Sequence, residues 1–137
     1  MWKSGNGASW THLPAPQTLQ SFTVDRQIPS AIYVTGWAGV HRSTDGGASW
    51  TNIYSGRPDA SVSVRSVAID PVRPSRLYLM PEGGALLTSV DSGATWQATG
   101  LMVPRVGSLA IDPNLPSRLY ASTGSNPSDV FVTKIAP

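Results

Sequence analysis

Hydrophobic and polar residues alternate along several short segments of this chain, and glycine, proline or serine residues bound these segments. "AIYVT" (31–35) and "RLYLM" (76–80) show the alternation clearly, and its period of two is that of a β-strand. Other apolar runs, such as "RSVAID" (65–70), are short enough for strands buried on both faces. The pattern therefore predicts a fold made of many short strands.

Two motifs recur along the chain at intervals of 40 to 46 residues. "SVAIDPVRPSRLYL" (66–79) returns as "SLAIDPNLPSRLYA" (108–121) and more weakly as "SFTVDRQIPSAIYV" (21–34). "RSTDGGASW" (42–50) returns as "TSVDSGATW" (88–96), and its tryptophan stands again at Trp10. Repeats of about 40 to 50 residues that contain four strands are typical of β-propeller blades.

Each repeat is predicted to hold four antiparallel strands, A to D. A six-residue turn joins strands A and B, and an S-x-D-x-G-x-[ST]-W turn joins strands C and D. Repeats are expected at about 21–50, 64–96 and 106–135, preceded by a lone strand D over 8–13. The predicted fold is thus one all-β domain over 1–137, a partial propeller of about three blades in the order D-ABCD-ABCD-ABC.

The two complete C–D turns carry a family resemblance. "STDGGASW" and "SVDSGATW" resemble Asp boxes, which are also called bacterial neuraminidase repeats. Together with the "IDPxxPSRLY" units they resemble blades of photosystem II assembly factor-like proteins, oligoxyloglucan-specific glycoside hydrolases and sortilin-type propellers. The resemblance implies the propeller fold. It implies no single activity, because such relatives include sialidases, other glycosidases, receptors and assembly factors.

Each residue type in these turns has a local structural role. We expect the serine and aspartate to hydrogen-bond within their own turn, the glycine to adopt a positive φ, and the tryptophan to pack between strands or blades. These residues are Ser43, Asp45, Gly47 and Trp50 in the first turn and Ser89, Asp91, Gly93 and Trp96 in the second. One aspartate per turn offers too few oxygens for calcium, so no metal site is predicted.

The N-terminal copy of the turn, "KSGNGASW" (3–10), is degenerate. Aligned on its tryptophan, it has Lys3 and Gly5 at the serine and aspartate positions and keeps Gly7. Asn6, shifted by one residue, is a possible replacement for the aspartate that caps the turn.

Composition and charge exclude several classes of protein. The chain has 137 residues, of which 40% are hydrophobic and 13% charged, and its net charge is only +2. It has no cysteine for a disulfide or thiol catalysis, no basic run typical of nucleic-acid binding, and no apolar run of the roughly 20 residues that span a membrane. No cofactor is predicted, and the compartment stays open.

Three blades are fewer than the usual four to eight, and an open arc would expose apolar faces and strand edges. We therefore predict a homodimer of six blades, in which each N-terminal strand completes a blade with the partner's C-terminal strands. Two alternatives stay open: a fragment of a longer propeller, and a fragment that assembles with itself and binds no ligand.

Candidate binding residues lie in the B–C and D–A loops, which differ among the repeats and share one face of a propeller. They are Trp37, Asp59, Arg65, Glu82, Arg105 and Asp129. The arginines could hold a carboxylate or phosphate, and Trp37 could stack on a sugar ring. The prediction is a non-catalytic binding or scaffold module with a protein or glycan ligand. The alternative is a glycan-acting enzyme, for which Glu82 with Asp59 or Asp129 is the one plausible pair of carboxylates. No catalytic residue is assigned, because no other feature of the sequence marks these residues.

Overall fold

A computed structural model describes residues 1–17, 19–55, 63–102, 106–123 and 130–134, and these form thirteen β-strands and no helix. The strands are β1 (Trp2–Lys3), β2 (Thr11–His12), β3 (Leu19–Val24), β4 (Ile32–Gly36), β5 (Gly39–Ser43), β6 (Thr51–Tyr54), β7 (Val64–Ile69), β8 (Leu77–Pro81), β9 (Ala85–Ser89), β10 (Gln97–Met102), β11 (Val106–Ile111), β12 (Arg118–Thr123) and β13 (Val130–Lys134).

The strands form three antiparallel meanders and one short hairpin. β3 to β6 make the first blade, β7 to β10 the second, and β11 to β13 the third, which has three strands among the described residues. β1 and β2 form the hairpin that precedes them. The predicted all-β fold of four-stranded antiparallel blades is thereby confirmed, and the arrangement is that of a partial propeller of about three blades.

The N-terminus differs from the prediction of a lone strand D. β1 pairs with β2 through Trp2↔His12 and Lys3↔Thr11, the register in which β5 pairs with β6 through His41↔Asn52 and Arg42↔Thr51. β1 therefore corresponds to a strand C, and the described strands follow the order CD-ABCD-ABCD-ABC. Two residues are too few to show an alternating pattern, which is why the sequence did not reveal this strand.

Strand register places the connections on two opposite faces. In the first blade Val24 pairs with Ile32, next to the A–B turn, and Arg42 pairs with Thr51, next to the C–D turn. Both turns therefore lie at the same end of the strands. The B–C turn, next to the pair Gly36↔Gly39, lies at the opposite end of the strands. We call these the turn face and the loop face, and the second blade repeats the division.

The core lies between blades. β7 packs on β3, β4 and β5, and β11 packs on β7 and β8. Within β8, Leu77 and Leu79 join the cluster shared with the first blade, whereas Tyr78 and Met80 join the cluster shared with the third. Each sheet thus has a front face toward the preceding blade and a back face toward the next. A large side chain buried here contributes about 1.5–3 kcal/mol.

Candidate functional site

The first complete C–D turn uses its polar groups internally. The hydroxyl of Ser43 accepts a hydrogen bond from the Gly47 amide at 2.8 Å and donates to Asp45 Oδ1 at 2.8 Å. Asp45 Oδ1 also accepts from the Ser49 amide at 2.9 Å, and its Oδ2 accepts from Ser49 Oγ at 2.6 Å. Both carboxylate oxygens therefore hold the turn, and these bonds keep the Asp45 pKa well below its usual value.

The second complete turn repeats this network with one conservative change. Ser89 contacts Gly93 and Asp91 as Ser43 contacts Gly47 and Asp45, at 2.8 and 2.7 Å. Thr95 takes the place of Ser49, and its hydroxyl donates to Asp91 Oδ2 at 2.5 Å. This hydrogen bond is the largest cause that lowers the Asp91 pKa, to about 2, and the Thr95 amide and the Ser89 hydroxyl add to it.

The N-terminal turn is built from different residues than the tryptophan alignment predicts. Ser4 Oγ, not Lys3, accepts from the Gly7 amide at 2.7 Å. Asn6 Oδ1, not Gly5, accepts from the Ala8 and Ser9 amides at 2.9 and 3.0 Å. The assignment of Lys3 and Gly5 was wrong, and the shifted Asn6 is correct. One residue fewer shortens the loop, so both acceptors bond three residues ahead instead of four.

Glycine and tryptophan in these turns join one blade to the preceding one. Gly47 and Gly93 have φ of 95° and 92°, and a Cβ on Gly93 would lie 2.5 Å from Ile53 Cδ1 in the first blade. Trp96 Nε1 donates to the Ile53 carbonyl at 2.9 Å, and Trp50 Nε1 donates to the Pro14 carbonyl at 2.6 Å. The hairpin therefore docks on the first blade much as the first blade docks on the second.

The A–B turns also commit their carboxylates, a role that the sequence left unassigned. Asp25 Oδ1 accepts from two amides at 2.8 and 3.2 Å, Asp70 Oδ1 at 2.9 and 3.0 Å, and Asp112 Oδ1 at 2.9 and 3.1 Å. Asp70 is fully buried, and its Oδ2 lies 3.4 Å from Arg73 Nε. The sequence did carry a sign of this role, because the aspartate recurs at the same position of each repeat, directly before the A–B turn.

Three predicted candidates lie on the loop face, and two of them are in contact. Arg65, in β7, pairs with Glu82, in the β8–β9 turn, at 3.7 Å between Nη2 and Oε1, and both side chains are about half exposed. Trp37, in the β4–β5 turn, is 60% exposed. Thr35 Oγ1, two residues before Trp37, donates to the Arg65 carbonyl at 3.2 Å. This bond joins the first blade's B–C hairpin to the second blade's strand A.

Sequence reasoning missed the residues that hold this cluster in place. Besides Thr35, Asn52 Nδ2 donates to the Ala38 carbonyl at 3.1 Å and supports the turn that carries Trp37. Tyr54 lines a cavity of about 190 Å³ beside Glu82. These residues lie in strands. The alternating pattern predicts which side of the sheet a residue faces, but not which side chain it bonds, so the sequence did not single them out.

The remaining candidates, Asp59, Arg105 and Asp129, lie outside the described residues. Within the described ranges, no three histidine or acidic side chains come together as a metal site would require. The part of the chain that is described also holds no helix of the length and apolarity needed to cross a membrane.

No family model matches the chain, and no curated protein matches it. Solved structures do. An ancestral GH74 enzyme superposes with a TM-score of 0.75 at 19% identity, over 97% of this chain and 20% of that one. The GH74 xyloglucanase from Xanthomonas campestris gives 0.63 at 18% identity, over 98% and 22%.

A second group of similar structures is YCF48. The protein from Cyanidioschyzon merolae superposes with a TM-score of 0.68 at 20% identity, over 93% of this chain and 38% of that one. YCF48 bound to D1 peptide gives 0.69 at 16% identity, over 91% and 39%. Likeness at these identities shows the β-propeller fold. The chain spans about a fifth of the GH74 chains and about two fifths of the YCF48 chains.

Proposed function

We propose that this chain is a non-catalytic propeller module that binds a protein or glycan ligand on its loop face, at Trp37 and the Arg65–Glu82 pair. The observation that carries the proposal is the contrast between the two faces. On the turn face, five aspartates accept hydrogen bonds within their own turns, whereas the loop face carries an indole that is 60% exposed and a half-exposed ion pair. Large exposed aromatics and arginines are typical anchors of binding surfaces.

The distribution of carboxylates supports binding over catalysis. Five aspartates occupy the turn face, and each accepts hydrogen bonds from its own turn: Asp25, Asp45, Asp70, Asp91 and Asp112. Among the described residues, Glu82 is the one carboxylate of the loop face. Glycoside hydrolysis in most families needs two carboxyl groups, about 5 to 9.5 Å apart.

The chemistry of the cluster suits either ligand class. The Trp37 indole offers a flat apolar face for a sugar ring or an apolar peptide side chain. Arg65 and Glu82 supply charged donors and acceptors next to the 190 Å³ cavity. The structures of similar fold include both a xyloglucanase and YCF48 bound to D1 peptide, and the two classes are separated by experiment.

Binding is tested by screening the chain against a glycan array and a peptide library, followed by titration of each hit. We expect Trp37→Ala to weaken binding about tenfold or more, which corresponds to at least 1.4 kcal/mol. Val72→Ala is the matched control, since Val72 is exposed to a similar degree on the turn face. Equal loss in both variants, or no effect of Trp37→Ala, would place the ligand elsewhere.

The alternative of a glycan-acting enzyme is tested in parallel with a hydrolysis screen over oligosaccharides. Non-catalytic binding predicts no turnover above the buffer control. Turnover that disappears in Glu82→Gln, or in Asp59→Asn or Asp129→Asn, would overturn the proposal and assign the carboxylate pair. The same purified variants are used in the binding assay. Circular dichroism of each variant shows whether a loss of turnover or binding comes from loss of folding.

We also propose that the two complete C–D turns are Asp boxes, which the matching hydrogen bonds at Ser43 and Ser89 support. The homodimer by strand exchange stays a prediction, as does the longer-propeller alternative. Because β1 already pairs with β2, a partner's β13 could join β2 only after β1 leaves.

A further inference from the structure

The front face of the first blade presents apolar side chains to solvent. Phe22 and Val24, two residues apart on β3, are 64% and 41% exposed. Both line a groove of about 340 Å³, together with Met1, Trp2 and Trp10 of the N-terminal segment. We call Phe22, Val24 and this groove the open front. A surface with this many exposed large apolar side chains marks an interaction site.

The same positions in the later repeats are buried between blades. Val67 and Leu109 stand where Phe22 stands in the motif, and they are only 6% and 7% exposed. Each is buried by packing of its strand A on strands A and B of the preceding blade. By this alignment, the surface that would bury Phe22 is the back face of another blade.

The N-terminal hairpin covers the outer part of the first blade and leaves its strand A exposed. Trp50 Nε1 bonds to the Pro14 carbonyl, and the buried Ile32 of β4 lines the same groove as Met1, Trp2 and Trp10. β3 makes no strand-to-strand contact with β1 or β2. The uncovered region therefore corresponds to strands A and B of a preceding blade.

The third blade presents the other half of this interface. Tyr78 and Ala68 on the back face of the second blade are buried in the cluster shared with the third. Their equivalents on the third blade are Tyr120, which is half-buried, and Ala110, which is exposed. Among the residues that the structure describes, the front face of the first blade and the back face of the third are thus both uncovered halves of the same repeated contact.

We propose that the open front is the docking surface for a second copy of this chain, which binds with the back face of its third blade. The contact is head-to-tail, and the two equivalent contacts close a ring of two chains. We expect the contact between chains to resemble the contacts within one chain, where β7 packs on β3 and β4 and β11 packs on β7 and β8. Since β13 pairs with β12 over five residue pairs, a docked third blade brings its β13 to the strand C position that β1 holds. Docking therefore requires β1 to leave β2. It is independent of any ligand on the loop face.

The first test is sedimentation equilibrium of the full chain over a range of micromolar concentrations. We expect a dimer, and we expect Phe22→Asp to raise its dissociation constant about tenfold or more. Val72→Asp, an exposed apolar residue on the turn face, should leave the dimer unchanged. Phe22 is exposed within one chain, so the variant should keep the wild-type circular dichroism spectrum. A monomer at all concentrations, open-ended oligomers, or a dimer unaffected by Phe22→Asp would overturn the proposal.

The second test identifies which faces meet. The chain has no cysteine, so single cysteines can be joined with a short bis-maleimide. We expect Phe22→Cys mixed with Ala110→Cys to give crosslinked dimer, and Phe22→Cys alone to give none. Leu109→Cys with Ala68→Cys in one chain is the positive control, because these residues share a cluster at the equivalent internal contact. Crosslinking of Phe22→Cys with itself would show a front-to-front dimer and overturn the head-to-tail arrangement.

Discussion

Replacement of Gly93 by alanine tests how closely the blades approach each other. Gly93 has a φ of 92°, and a new Cβ would lie 2.5 Å from Ile53 Cδ1 and 3.2 Å from Ile53 Cβ. The positive φ costs alanine about 1–2 kcal/mol, and forcing a methyl group into a packed contact adds about 1–3 kcal/mol. Gly93→Ala should therefore lower the free energy of unfolding by about 2–5 kcal/mol.

Gly83→Ala is the matched control for this prediction. Gly83 has a φ of 69°, and a Cβ there would meet nothing within 4 Å, so only the backbone cost of about 1–2 kcal/mol applies. Urea unfolding followed by circular dichroism measures both. The packing cost of about 1–3 kcal/mol, at an m-value of about 2 kcal/mol/M, should place the Gly93→Ala midpoint about 0.5–1.5 M below that of Gly83→Ala. Equal midpoints for the two variants would refute the close approach of Gly93 to Ile53 as a source of blade packing energy.

Two further substitutions test the turn face. Thr95→Val should raise the Asp91 pKa from about 2 toward 3.8, because its hydroxyl is the largest cause of the shift. Asp91 stabilises the fold above pH 3.8 and loses this contribution as the pH falls through about 2, so the variant should unfold at a higher pH. NMR titration of Asp91 checks the shift, and an unchanged pKa would contradict it. Asp70→Ala removes a fully buried carboxylate that accepts from two amides and should cost about 2–4 kcal/mol by urea unfolding, against about 1 kcal/mol for half-buried Asp112→Ala, and equal costs would contradict the role of burial.

Features held by local hydrogen bonds were predictable from the sequence. The C–D turns could be recognised because Ser43 and Asp45 bond within five residues of chain, so their spacing is written directly in the motif. The N-terminal turn was misread because the same bonds tolerate the loss of one residue. Aligning its tryptophan hid the fact that Ser4 and Asn6 had taken over.

Features that depend on a neighbouring blade could not be predicted. Phe22 and Val67 occupy the same position of the same motif, yet their exposures are opposite, because exposure depends on what packs against the strand. The Arg65–Glu82 contact lies within the second blade and follows from the β7–β8 register, which shifts between Val64 and Val67 and could not be read from the sequence. The sequence identified the loops that carry these residues and could not indicate which side chains would meet.

Among the described strands, every contact between blades joins one repeat to the repeat beside it, and β3 makes none with β11. Stability in such a chain accumulates as a sum over adjacent pairs. A gene duplication that copies one repeat length would therefore add a blade that already fits the blade on each side. This holds wherever within the repeat the copied segment begins. Blade number could then change during evolution in single steps, without the simultaneous adjustment of distant residues that a globular core requires.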